Sequence, residues 1–433
     1  MLRTPAACAA LATATVLAAC TGSPPDPAKD ARAAPTTGCV HVVDEATGRE
    51  QPECLPIAPD SKRVDLAAPV FSTPLAVDNP LFPAARVRQA VYGGQVDGEP
   101  FRTEVTLLPA TKTITWRGEP VRVLVSQYTA YSAGRIVETA YDWYAQADDG
   151  SVWYFGEDVF NYEDGVVADT EGTWQAGRDG PAAMIMPGRP QAGDVYRPEN
   201  VPGRVFEQVT VKEAGKTVAG PYGPVDGAIL AGELHMDGSR EDKVFAPGYG
   251  EFSTGTPSSE LEQVMLAVPG DATPGPLPAR LRALMDARGT AATTAAWQAY
   301  RAADRIPALL VRQMDRDLAA LAKGDKDAAL RVQQNITDLR LRYEPVTTVD
   351  RARLALWARQ LGTDARADEA GDVAASVAAL ELVWERVGPT LTAGQRADIA
   401  GLLHAARQAA DAEDSAAAST VSGRLADAVS GLG

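Results

Sequence analysis

The sequence predicts a two-part α+β protein, in which an antiparallel β meander, folded as a curved sheet or partial barrel, precedes an all-α helical bundle. Between residues 85 and 268 the apolar residues alternate with a period of two, and Asp-Gly pairs typical of tight turns recur. Between residues 279 and 433 the apolar residues instead repeat at steps of three and four. The 433 residues, 45% of them hydrophobic, are enough for more than one domain with its own core.

The first nineteen residues have the pattern of an export signal. Arg3 precedes an apolar run, 6–19, that is too short for a permanent membrane helix. The run ends in Leu17-Ala18-Ala19-Cys20, which resembles the lipobox of bacterial lipoproteins. We therefore expect cleavage before Cys20 and acylation of its thiol, the alternative being an ordinary secretion signal with a chance cysteine. Residues 20–37 are rich in Pro and Ala and have no hydrophobic period, which predicts a flexible tether.

The charge of the chain restricts its partners. A formal net charge of −16 repels phosphate backbones and anionic headgroups, so no nucleic-acid partner is expected. Membrane contact is expected through the lipid alone, which predicts a protein of the cell envelope that faces away from the cytoplasm. Cations, sugars, apolar molecules and proteins remain as possible partners.

The remaining cysteines predict a disulfide in segment 38–84, which otherwise reads as irregular. Cys8 leaves with the signal and Cys20 takes the lipid, so Cys39 and Cys54 are left as a pair in an oxidising compartment. A metal site is the alternative, but His41 is the only other nearby ligand of that kind. We interpret the pair as a structural bridge.

The β part, 85–268, is predicted from strand-like runs at 121–125, 136–147 and 151–156. The turn pairs are Asp97-Gly98, Asp149-Gly150, Asp164-Gly165 and Asp237-Gly238. Regularly spaced short strands with such turns are typical of an antiparallel meander.

A proline-rich linker, 269–278, separates this part from the helices of 279–433. The clearest apolar stripe comprises Val373, Val377, Leu380, Trp384 and Val387. Short breaks between the stripes predict antiparallel neighbouring helices. We interpret the stripes as the core of the bundle; a cofactor groove is the alternative.

One part of the sequence resembles a known group of proteins. The string DWYAQ at 142–146, followed by VWYFGED at 152–158, is similar to a signature of an uncharacterised family of bacterial secreted proteins and lipoproteins. Shorter matches extend the resemblance over about 85–255. The resemblance implies a β domain of the cell envelope, and it implies no reaction and no catalytic residues.

The hairpin around Asp149-Gly150 supplies the candidate site. A two-residue loop there sets Phe155 opposite Tyr144, and Glu157 opposite Asp142. The same rule at Asp164-Gly165 sets Glu171 opposite Asp158. These four carboxylates, Asp142, Glu157, Asp158 and Glu171, form a candidate Ca²⁺ site, the alternative being a solvated edge or a register shifted by a bulge.

The aromatic residues of this hairpin have two interpretations. Tyr144, Trp153 and Phe155 could form a binding face for a sugar or an apolar ligand, or could belong to the core of the sheet. The aromatic meander therefore favours a binding module for a small or apolar ligand. An interaction protein acting through the helical part, and the Ca²⁺ site, are the alternatives.

Catalysis is not expected. The chain has three histidines and lacks the G-x-S-x-G motif of serine hydrolases. Asp142 and Glu157 would sit too close for a glycosidase pair unless a cleft separates them. The sequence predicts no cofactor.

Overall fold

The computed structural model describes residues 38–44, 48–256 and 260–432. The predicted signal peptide 1–19, the tether 20–37 and the lipidation site Cys20 lie outside the described residues. Within these ranges the prediction of an antiparallel β part followed by a helical part is confirmed. The strands are β1 (Cys39–Asp44), β2 (Arg49–Pro56), β3 (Gln89–Val96), β4 (Glu99–Trp116), β5 (Glu119–Ser132), β6 (Arg135–Gln146), β7 (Val152–Glu163), β8 (Val166–Asp169), β9 (Trp174–Gln175), β10 (Ala183–Met186), β11 (Val195–Val201), β12 (Val205–Gly220), β13 (Gly223–His235), β14 (Arg240–Ala246), β15 (Gly250–Thr256) and β16 (Glu260–Val268). The helices are α1 (Ala279–Asp286), α2 (Thr290–Arg301), α3 (Ala308–Ala322), α4 (Ala328–Arg340), α5 (Val346–Ala367), α6 (Ala370–Val387), α7 (Ala393–Asp411) and α8 (Ser415–Ser430).

The main sheet has fourteen strands and is built from two meanders. Its order is β10-β7-β6-β5-β4-β3-β16-β15-β14-β13-β12-β11, with β8 and β9 paired to β7. The meander β3–β7 and the meander β11–β16 are joined in the middle, where β3 pairs with β16. Because β16 returns to β3, the last strand of the β part completes the sheet before the helices begin.

The sheet curls until its two ends meet, although hydrogen bonds between strands do not close it. Glu157 on β7 and Glu199 on β11 lie near opposite ends of the strand order, yet their carboxyl groups hydrogen-bond to each other. The Trp174 indole Nε1 on β9 also donates to Glu199, at 3.1 Å. The face that carries Glu157 is therefore the concave face of the sheet.

The helices pack on the opposite, convex face. Tyr131 of β5 stacks on Trp357 of α5 with ring centroids 5.8 Å apart, and both side chains are buried. The predicted stripe on α6 belongs to the same core, where Val373 and Leu380 are fully enclosed. The interpretation of this stripe as bundle core is confirmed.

Buried charges join the sheet to the helices. Glu104 of β4 contacts Arg353 of α5 and Arg386 of α6, and Arg102 of β4 contacts Asp338 of α4 at 2.6 Å. The convex-face ion cluster, as we name it, comprises Arg102, Glu104, Asp338, Asp350, Arg353 and Arg386. Its three arginines and three carboxylates balance in charge.

The first hairpin carries the predicted disulfide, which is confirmed. Cys39 of β1 and Cys54 of β2 are bonded, with their Cα atoms 5.5 Å apart. The Val43 amide donates to the Met236 carbonyl at 3.1 Å, which fixes this hairpin against the β13–β14 turn. No helix in the described part of the chain is both long enough and apolar enough to cross a membrane.

Candidate functional site

A cavity of about 150 Å³ lies on the concave face of the sheet. Strands β3 to β6 form one side of it, β15 and β16 form another, and the segment 82–87 borders it. Aliphatic and aromatic side chains make up most of the wall. We call it the aromatic cavity, and its aromatic and aliphatic lining includes Phe82, Val87, Ala90, Tyr92, Val105, Leu107, Tyr128, Tyr144 and Tyr249.

The alternation of side chains along each strand produces this cavity. On β4, Thr103 and Val105 line it, whereas Arg102 and Glu104 point into the convex-face ion cluster. A strand with one polar and one apolar face would normally be half solvated. Here helices cover the polar face as well, so β4 is enclosed on both faces at residues 102–106.

Three carboxylic acids interrupt the apolar wall of the aromatic cavity: Asp142, Glu251 and Glu262. Asp142 is 8% exposed, and the Tyr154 hydroxyl donates to its Oδ1 at 2.8 Å. Burial raises the pKa of Asp142 to about 7. Asp142 is therefore poised between the acid and the carboxylate near neutral pH.

Glu262 is the least satisfied of the three acids. Its Oε1 is buried and has no hydrogen-bond partner among the described residues. Burial raises the pKa of this carboxyl to about 8. Glu262 therefore contributes a carboxyl that keeps its proton to this pH to the wall of the cavity.

The line of acids continues along the concave face beyond this cavity. Asp142 lies directly opposite Glu157 on the neighbouring strand, and Glu157 meets Glu199. Burial raises the pKa of Glu157 well above its usual range and that of Glu199 to about 8. We call Asp142, Glu157, Glu199 and Glu262 the concave-face acids; Asp142 is buried, the other three are half-buried, and few cations lie near them.

A second, more polar cavity of about 580 Å³ opens beside these acids. Its carboxylate lining comprises Glu138, Glu157, Glu171, Glu199, Glu207 and Asp237. Arg204 and His235 are the cationic side chains in this lining. We call it the acidic cavity.

A compact ion cluster on β12 to β14 neutralises part of this charge. The Lys243 Nζ lies 2.7 Å from a Glu233 oxygen, and the His235 ring lies 3.3 Å from Glu207 and 3.4 Å from Glu241. Although burial opposes it, the hydrogen bonds that the imidazolium donates to Glu207 and Glu241 raise the pKa of His235 to about 10. Burial likewise opposes ionisation of Glu207, but Lys243 and His235 hold its pKa at about 2.

This ion cluster has some of the properties of a metal site. Ligand atoms of Glu207, Glu233 and His235 lie within 4.8 Å of one another. However, the Lys243 ammonium already contacts Glu233 and supplies positive charge there. The geometry accordingly fits an internal ion pair network.

The four carboxylates predicted to bind Ca²⁺ are not gathered in one place. Asp142 and Glu157 are opposed as predicted. Asp158, however, lies opposite Tyr141 and contacts Lys112 at 3.7 Å, and Glu171 is exposed at the rim of the acidic cavity. The predicted pairing of Glu171 with Asp158 is wrong because β9, which follows Glu171, pairs with β7 at Gly156 and Glu157.

The hairpin register also differs from the predicted one. Tyr144 lies opposite Tyr154, where Phe155 was expected, and their rings stack 5.0 Å apart. Tyr144 therefore lines the aromatic cavity, while Phe155 packs against Phe71 and Trp153 is buried in the core. The three aromatic residues do not share a binding face.

Several residues of the site escaped sequence reasoning. Glu199, Glu207, Glu233, Lys243 and Glu262 all lie in the second meander, in which no site was predicted. The only sequence feature that marks such residues is a charge within an otherwise apolar strand, as at Glu233, which follows Ala231 and Gly232 and precedes Leu234. That signal alone does not distinguish an inward from an outward charge.

Comparison with protein-family models, with curated proteins and with solved structures finds no match to this chain.

Proposed function

We propose that this chain is a lipid-anchored envelope protein whose curved sheet binds a small, mainly apolar molecule in the aromatic cavity. The observation that carries the proposal is the cavity itself, about 150 Å³ of space walled by aliphatic and tyrosine side chains. Protein interiors are normally packed without such gaps, and apolar cavities of this volume accept benzene-sized molecules. The proposal is a binding role with no catalytic step.

The proposed anchor rests on the sequence of the leader. Residues 1–19 have the pattern of a cleaved signal, and Cys20 ends a lipobox-like string. A disulfide between Cys39 and Cys54 is consistent with folding in an oxidising compartment. We propose that lipid on Cys20 holds the sheet and the helices at a membrane surface outside the cytoplasm.

The binding proposal is tested with fluorobenzene as the probe and the full-length protein in mild detergent. Fluorine NMR should show saturable binding to the wild type. Val105→Phe places a larger side chain in the cavity wall at a strand position that tolerates aromatic residues, and it should abolish binding. Val167→Phe, at an exposed position of β8, is the matched control and should bind as the wild type does.

Equal binding by the wild type and Val105→Phe would place the probe elsewhere and refute the proposal, as would no binding at all. Native mass spectrometry of freshly purified wild type should in addition show a retained small molecule that Val105→Phe lacks.

The anchor is tested separately by metabolic labelling with an alkyne fatty acid. The wild type should take up the label, and Cys20→Ser should not. An unlabelled wild-type chain that keeps residues 1–19 would refute the anchor and leave the binding proposal intact.

A further inference from the structure

We infer that the aromatic cavity selects molecules that carry a protonated amine, with Glu262 and Asp142 as the groups that receive it. This inference rests on the proposed binding function and names the chemical class of its ligand. The juxtaposition that supports it is an apolar wall of ring-sized dimensions with carboxyl groups in its lining.

The charge of the lining is one-sided. Three of the residues around the cavity are acids, and none of the residues that line it in the described part of the chain is Lys, Arg or His. An anionic ligand would be buried against carboxyl groups without a compensating cation, which is strongly unfavourable. A neutral ligand without a hydrogen-bond donor would leave the carboxyl groups of the lining without a polar partner from the ligand.

The unpaired oxygen of Glu262 indicates that a suitable ligand would supply a hydrogen-bond donor. The Thr103 hydroxyl acts on the Glu262 carboxyl, yet its Oε1 makes no hydrogen bond among the described residues, although buried polar atoms are almost always hydrogen-bonded. An ammonium group supplies up to three donors and a positive charge, and charge-assisted hydrogen bonds of this kind are the strong ones. Tyr92, Tyr128 and Tyr144 also line the cavity, and aromatic rings of this kind attract a cation.

A bare metal ion fits this cavity less well than an amine. Among the described residues, the grouping whose ligand atoms converge for a metal is Glu207, Glu233 and His235, and it contains none of the acids of the aromatic cavity. Carboxyl groups spread along an apolar wall suit an organic cation, whose ring fills the space and whose ammonium end reaches one side.

The surroundings of Glu262 make amine binding depend on pH. The groups that act on this carboxyl are the Thr103 hydroxyl, Glu138, Glu251 and Lys243, and its pKa is raised to about 8 by burial. Below this pH an incoming ammonium must displace the proton of Glu262. The affinity for an amine should therefore rise as the pH increases from about 6 to about 8, with release of a proton.

The experiment compares three probes of one shape on the full-length protein by fluorine NMR: para-fluorobenzylamine, para-fluorotoluene and para-fluorobenzoate. At about pH 8 the amine should bind about tenfold or more tightly than the toluene, and the benzoate should be weakest. Glu262→Gln should lose about tenfold in affinity for the amine and keep its affinity for the toluene. Glu213→Gln, an exposed strand position, is the matched control and should change neither.

Each outcome decides a different claim. Equal affinity for amine and toluene, or an unchanged affinity for the amine in Glu262→Gln, overturns the inference and leaves the binding function standing. If the wild type binds none of the three probes, the proposed binding function itself is overturned. If Glu262→Gln fails to bind even the toluene, Asp142→Asn replaces it, with the same expected selective loss.

Discussion

The two faces of one sheet bury carboxylates in opposite electrostatic surroundings. On the convex face, Glu104 touches two arginines of the helices, and burial is outweighed by Arg353, Arg102 and Arg386, which hold its pKa well below its usual range. On the concave face, Glu262 has an oxygen with no partner, and burial raises its pKa to about 8. Both are glutamates on strands of one sheet, but Glu104 is 2% exposed and Glu262 is only half-buried. Since the more deeply buried carboxyl has the lower pKa, its arginine partners must account for the difference.

The comparison distinguishes structure from binding. In the convex-face ion cluster three cations meet three anions, and the contacts of Arg102 and Glu104 join the sheet to α4, α5 and α6. All six charged groups of this cluster are therefore paired within the protein. The concave-face acids have no such supply of cations, and they lie along a surface with two cavities. Their carboxyl groups are not paired with arginines by the fold and can ionise against a cationic ligand, which is the basis of the proposed selectivity.

The largest effect is expected on the convex face. Arg353→Met should lower the free energy of unfolding by about 3–5 kcal/mol, because it leaves buried carboxylates without their cation. Arg301→Met removes an arginine paired with Asp315 near the surface and should cost less than about 1 kcal/mol. Urea unfolding followed by circular dichroism measures both. Equal losses of unfolding free energy in the two variants would show that the convex-face ion cluster does not hold the helices to the sheet.

The second prediction is that the same Glu→Gln substitution changes the free energy of unfolding in opposite directions on the two faces. At about pH 8.5 Glu104→Gln should destabilise the protein by about 2–3 kcal/mol, because the ionised carboxylate is held by arginines. Glu262→Gln should instead stabilise it by roughly 1–3 kcal/mol, because it removes an unpaired buried charge.

The pH dependence of these two variants has opposite senses. The contribution of Glu104 is present above its unfolded pKa of 4.5 and is lost only as the pH falls towards its depressed native value. The cost of Glu262 is absent below 4.5 and grows as the pH rises to about 8. Unfolding curves at several pH values measure both trends, and the same sign for both variants would contradict the comparison.

The smallest effect is expected at His235, where the concave face has local cations. His235→Gln should cost about 1–2 kcal/mol near neutral pH, since the imidazolium contacts Glu207 and Glu241. The native pKa of about 10 lies above the unfolded 6.5, so this contribution is full below 6.5 and disappears as the pH rises through 10. A difference between variant and wild type that does not shrink over this range would show that the ring acts by packing and not by charge.

The fold class was predictable because its signals are local. Alternation with a period of two and stripes at steps of three and four each depend on neighbours in sequence, as at Val373 and Leu380. The sequence predicted a curved sheet or partial barrel, but it did not predict which strands meet where the sheet curls round. The contact of Glu157 with Glu199, and that of Glu104 with Arg353 about two hundred and fifty residues later, have no local signature.

In the β6–β7 hairpin the predicted pairing of Asp142 with Glu157 is correct, although the predicted register near the turn is wrong. The Ala147 amide donates to the Ser151 carbonyl, and Gly150 has a positive φ of 84°, so the hairpin loop has three residues and not two. This shifts Tyr144 from Phe155 to Tyr154. A bulge at Gly156, where a Cβ would come within 2.1 Å of the Trp174 carbonyl oxygen, then restores the pairing of Asp142 with Glu157. Neither irregularity could be read from the turn rule alone.

The most direct test of the central claim is the location of a bound probe. Crystals of the protein with para-bromobenzylamine, measured at the bromine absorption edge, should show one anomalous peak in the aromatic cavity among Tyr92, Tyr128 and Tyr144. The ammonium should lie within hydrogen-bonding distance, about 2.7–3.2 Å, of the Glu262 carboxylate. A bromine peak only at the outer surface, with ordered water filling the cavity, would contradict the account.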